Sequence, residues 1–145
     1  MKGLLIRLSC GFTAGTLGAL ANSAAIWYLG ISGLTTAWGV AITPEWTAAW
    51  VYPRLVWGGI WGMLFIPAFL SRSVVRRGLL YSLAPSAVQL FIIFPTTGHA
   101  TMGTDLGAFT PLVVLSVNGV WGLVGAFWIS FSENVNVTEI SLPNS

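Results

Sequence analysis

An all-α membrane bundle, with four transmembrane helices and one short interfacial helix, is the fold class the sequence predicts. Three observations predict it. Of 145 residues, 55% are hydrophobic and only 7% charged, whereas a soluble domain is about a quarter charged. So few charges could not cover a water-facing surface. Uncharged stretches recur, long enough at about 1.5 Å per helical residue to reach across a hydrocarbon core. Small residues repeat four apart within them, the spacing that lets helices approach closely in lipid. One domain over residues 1–131 follows, with a polar cytoplasmic tail over 132–145.

The first span covers residues 4–31. Lys2 and Arg7 precede an uncharged run that continues past Ala25. That run is long for the apolar core of a cleaved signal peptide, so a retained helix is expected. Gly11, Gly15 and Ala19 form a small-residue face, and Trp27 and Tyr28 mark the far interface.

Residues 32–53 are apolar but broken by Gly33, Gly39 and Pro44. Thr43 as N-cap, Pro44 at the first helical position and Glu45 near the positive helix end predict a short helix over 44–51. Trp46 and Trp50 would share one face of that helix, which would lie in the headgroup layer. A re-entrant loop is the alternative. Pro53 would then start the second span, 54–70. Gly58 and Gly62 form a shallow groove there, and Trp57 and Trp61 a ridge beside it.

Arg72, Arg76 and Arg77 form the densest positive cluster. The third span, 78–94, contains Gln89 and Pro85, and the proline is expected to remove one backbone hydrogen bond and bend the helix. A polar loop over 95–107 holds His99 and Asp105, and the fourth span, 108–131, holds Asn118. With four spans, Lys2, Arg7, Arg72, Arg76 and Arg77 fall on one side and only Arg54 on the other. That asymmetry predicts both termini in the cytoplasm. The basic residues thus set orientation, and no nucleic-acid partner is expected.

Asn22, Gln89 and Asn118 are the only side-chain amides within the spans. On this topology each lies in the outer half of its helix, on the order of 10–15 Å below the boundary. The outer loops add polar groups on the same side: Glu45, Arg54, His99 and Asp105. Intramembrane polar groups face a bundle interior or a wet cavity. The set therefore predicts either interhelical hydrogen bonds or a ligand pocket open to the outside. Glu45 is placed to charge a helix start or to pair with Arg54, and Asp105 to cap the fourth helix. One histidine and one cysteine, Cys10, leave no metal site and no internal disulfide to expect. No nucleophile elbow, phosphate loop or paired CxxC is present. Neither catalysis nor a cofactor is expected.

The chain resembles small bacterial inner-membrane proteins of the YagU type. The likeness rests on the Gly/Trp-rich second helix, WGGIWG over 57–62, on the Gly- and Thr-rich outer loop, and on WGLVG over 121–125 near the last helix end. It is general across residues 4–131 and implies an inner-membrane location without an established activity. The functional expectation is a structural or accessory subunit, with the lipid bilayer, a homo-oligomer or a larger membrane complex as partner. The alternative is a transporter or channel-like protein with an outward-facing polar pocket. A membrane protein binding a cofactor through His99 is the third reading.

Overall fold

The computed structural model describes residues 2–67 and 73–140, and these are helical with no strand among them. Arg72 lies outside the described residues, as do the end of the expected second span and residues 141–145. The elements are α1 (Lys2–Ile31), a single turn α2 (Leu34–Ala37), α3 (Ala48–Trp61), α4 (Val74–Val88), a short α5 (Phe94–Thr96) and α6 (Thr110–Ile140). Three helices are long and apolar enough to cross a membrane: Gly3–Ile31, Val74–Thr96 and Thr110–Glu133. The expected fourth crossing is shorter, α3 followed by a 3-10 turn over Gly62–Phe65.

The separate interfacial helix does not form. Residues 40–47 are irregular, and α3 begins at Ala48 with Thr47 as its cap, whose hydroxyl accepts from the Trp50 amide at 3.3 Å. The reason is packing. A β-carbon on Gly30 would stand 3.2 Å from the Thr43 Cα and 3.4 Å from the Pro44 Cδ, so this segment lies directly across the end of α1. Val40 is buried with Ile26, Val113 and Val117, and the Ala41 amide donates to the Leu106 carbonyl at 2.7 Å. Those contacts hold 40–47 away from helical geometry. Pro53 falls inside α3 instead of starting it.

The third rod continues as helix through Pro85. Its irregularity comes later, as a π-turn over Gln89–Ile93 in which the Phe94 amide reaches back to the Gln89 carbonyl. Pro95 accounts for it: a proline ring clashes with the carbonyl four residues earlier, and a widened turn relieves that clash. The last helix also runs past the expected boundary of 131 to Ile140. Residues 132–140 contain neither Gly nor Pro, so nothing there interrupts the hydrogen-bond ladder.

The helices form a row: α3 packs on α1, α1 on α6, and α6 on α4. Small residues set the first of these contacts. A β-carbon on Gly15 would lie 2.1 Å from the Gly58 carbonyl oxygen, and one on Gly62 would lie 2.1 Å from that of Gly11. Gly78 and Gly122 make the equivalent approach between α4 and α6. Trp121 fills the centre, 3% exposed, and donates its Nε1–H to the Gly15 carbonyl at 3.0 Å. The outward faces carry Val56, Ile60, Leu80, Leu83, Phe91 and Phe127, all exposed.

Gly62→Ala should therefore overpack the α1–α3 contact and lower stability by about 1–3 kcal/mol. Gly3→Ala, where an added β-carbon meets nothing within 4 Å, should be neutral. Thermal melts of both variants in one detergent check this; equal melting points would remove the contact from the account.

Candidate functional site: a polar cavity beside Arg54

Asn22 and Ser23 face inward from α1 because the preceding turn, at Gly18 and Ala19, packs against α6 and α3. Arg54 stands opposite, in the second turn of α3. Side chains on a helix lean back toward its N-terminus, and the guanidinium accordingly lies under the Trp50 ring, 4.6 Å from its centroid. Its Nε donates to Ser23 Oγ at 3.0 Å and its Nη2 to Asn22 Oδ1 at 2.6 Å. The chain of bonds continues: Asn22 Nδ2 donates to Asn118 Oδ1 at 2.9 Å, and Asn118 Nδ2 to Ser86 Oγ at 3.1 Å. Ser86 then donates to the Ser82 carbonyl at 2.7 Å. One polar thread thus links α3, α1, α6 and α4 through the middle of the row.

A cavity of about 360 Å³ lies against this thread. Arg54, Asn22, Asn118 and Gln89 supply its polar lining. Trp57, Trp61, Trp121, Val88 and Ile93 supply much of the rest. Its two walls are α3 on one side and the end of α4 with the π-turn on the other, and these two helices are not packed along their lengths. The π-turn begins at Gln89, whose half-buried side chain forms no hydrogen bond among the described residues. All three amides singled out in the sequence therefore meet in one place. Arg54 joins them, so it is not an outer-loop residue. It forms no ion pair with Glu45, which is exposed.

Sequence reasoning missed Ser23, Ser86 and the cavity that the Trp57 and Trp61 ridge lines. A signal for Ser86 existed, since Gly78, Ser82 and Ser86 recur four apart and share one helix face with Gln89.

His99 and Asp105 come together outside the cavity lining, in the loop before α6. His99 Nδ1 lies 2.8 Å from Asp105 Oδ2, and the Ala100 amide donates to Asp105 Oδ1 at 3.0 Å. Asp105 therefore closes its own loop and does not cap α6, which starts at Thr110. The hydrogen bond from His99, helped by the Ala100 amide, holds the Asp105 carboxyl below its ordinary pKa of 3.8. No group of three or more metal-ligating side chains exists among the described residues.

The other end of the row is basic. Arg77, only 4% exposed, donates to the Phe65 carbonyl and lies 3.9 Å from Glu133. Arg7 donates to the Ile66 carbonyl at 2.7 Å. These guanidiniums satisfy carbonyls that the broken end of α3 leaves open. Arg77 is thus a buried structural group, whereas Arg76 is exposed. Comparison with known proteins adds nothing to this picture: no family model, curated protein or solved structure matches the chain.

Two outcomes follow. Asn118→Leu leaves Asn22 Nδ2 without its acceptor and removes the donor to Ser86 Oγ, so it should cost about 1–2 kcal/mol in detergent. Ser116→Ala, which removes only a bond to its own helix, should cost less; the reverse order in chemical denaturation would discount the thread. Because the Asp105 pKa is lowered on folding, its contribution is present above pH 3.8 and fades as pH falls through the folded value. Asp105→Asn should melt below wild type at neutral pH, and the two melting curves should converge in acid.

Proposed function

We propose that the chain is an integral membrane protein of the bacterial inner membrane whose four helical rods all cross the bilayer. We further propose that the cavity beside Arg54 is a ligand site, of the kind a small transporter or channel-like protein uses. The observation that carries this is a cation held inside the bundle without a counter-charge. Arg54 has only neutral partners, and no carboxylate lies within ion-pair distance of it among the described residues. An ionisable group within a spanning segment marks a site of function by default, because holding it there is costly.

The topology is supported on two counts. At 1.5 Å per α-helical and 2.0 Å per 3-10 residue, α3 and its following turn rise about 29 Å, close to a hydrocarbon thickness of about 30 Å. Arg7, Arg76 and Arg77 gather at one end of the row, and Glu45, His99 and Asp105 at the other. That distribution favours cytoplasmic termini. A self-associating accessory subunit draws less support from the fold. Gly11, Gly15, Gly58 and Gly62, the faces suited to a partner helix, are already used within one chain.

The test is a thermal-shift panel of small anions, cations and amphiphiles on detergent-purified wild type, Arg54→Gln and Asn118→Leu. At least one class should raise the wild-type melting point and fail to raise that of Arg54→Gln. Identical responses from all three proteins to every compound would overturn the pocket.

A further inference from the structure

We infer that the cavity takes the head of an anionic amphiphile, a carboxylate or phosphate on an apolar tail, which enters sideways from the bilayer. This rests on the pocket reading above and adds the ligand's chemistry and its route. Charge decides the head. Two nitrogens of Arg54 are engaged by Ser23 and Asn22, while Nη1 has no partner among the described residues. A guanidinium fits an oxyanion with charge-assisted, often paired hydrogen bonds. The Gln89 amide, on the opposite wall, can supply a further donor. A cationic head would be repelled, and a neutral one would leave the buried charge uncompensated.

Shape decides the tail. Away from the polar thread the lining is aromatic and aliphatic: Trp57, Trp61, Val88 and Ile93. The volume of about 360 Å³ falls within the roughly 300–1,000 Å³ of small-molecule sites. A small hydrophilic anion would satisfy Arg54 but leave this apolar slot unfilled. An alkyl chain fills it and gains packing contacts with the tryptophan faces, without any transfer out of water.

Packing decides the route. Trp50 covers the guanidinium on the side of the α3 N-terminus, and Trp46 stands 6.0 Å from Trp50, with Trp27 5.6 Å beyond. Toward the other end Phe65, Tyr81 and Trp121 pack together and close the row. Helices α1 and α6 form the floor. What remains open is the gap between α3 and α4, where Trp57 is 61% and Ile93 40% exposed on the outer faces of the bundle. On the proposed topology those faces meet lipid tails, not water.

The experiment uses the whole chain in phosphatidylcholine nanodiscs. Dodecanoate is titrated against acetate, inorganic phosphate and dodecyltrimethylammonium, and a parallel sample carries phosphatidylglycerol in the disc. Binding is read by melting temperature and by bound mass after ejection into a mass spectrometer. Dodecanoate or phosphatidylglycerol should bind one per chain, and the two arms say whether a free amphiphile or a membrane lipid is held. Arg54→Gln should weaken that binding roughly tenfold or more, a loss of one charged hydrogen bond. Ile93→Trp, which narrows the gap without touching the guanidinium, should weaken dodecanoate and leave melting in plain discs unchanged. It also keeps the test decisive if Arg54→Gln does not fold. Acetate or phosphate binding as well as dodecanoate, with dependence on Arg54, would overturn the amphiphile and leave the pocket standing. Equal binding of dodecyltrimethylammonium would reduce the gap to an apolar slot and overturn the anionic head. No ligand sensitive to either variant would overturn both readings.

Discussion

The close approach of α1 to α3 is the contact on which the rest of the molecule depends. Gly15 and Gly58 bring two backbones so near that a β-carbon on either would overlap the other helix. No apolar side chain separates the rods at this level, so the next turn up has no room for a conventional core. It is filled by hydrogen bonding instead, Arg54 onto Ser23 and Asn22. In a medium that offers no competing water, such bonds hold helices together where hydrophobic association between helices is absent. The glycines therefore decide both how tightly the row packs and where its polar thread must run.

A thread of this kind carries a cost as well as a benefit. Each amide and hydroxyl along it is satisfied by its neighbour, and the bonds polarise one another in a low dielectric. The charge at its end is different. Asparagine, serine and an aromatic face can solvate a guanidinium, but none neutralises it. The protein keeps that charge at the mouth of a cavity while α3 and α4, which could have closed over it, stand apart. Packing alone would favour shutting that gap, so its persistence beside a cation with no counter-charge among the described residues is what supports the proposed ligand site.

The two ends of the row solve different problems. At the basic end, α3 stops in a 3-10 turn, and Arg7 and Arg77 cover the carbonyls left over. Arg77 is thus bound into the architecture even though its sequence neighbourhood reads as a topology signal. At the acidic end the connections are irregular but tied: Ala41 bonds Leu106, and His99 bonds Asp105. The bends at Gly39 and Gly103 adopt positive φ, a region open to glycine without strain. These loops hold the ends of four rods without contributing to the cavity.

Composition and spacing by themselves determined that the chain is helical and apolar enough for lipid, and they singled out Asn22, Gln89 and Asn118. Polar residues are scarce in such a sequence, and scarcity is visible without coordinates. The small-residue repeats at Gly11, Gly15, Gly58 and Gly62 were legible too, since four-residue spacing puts them on one face whatever lies opposite. Only the tertiary structure decided what lies opposite. It placed Thr43 and Pro44 across Gly30 and so moved the start of α3 to Ala48, where Thr47 caps it. It turned Arg54 away from Glu45 toward Asn22, and buried Arg77 while leaving Arg76 exposed. Partner choice of that kind depends on groups distant in sequence, and one-dimensional periodicity holds no information about which helix faces which.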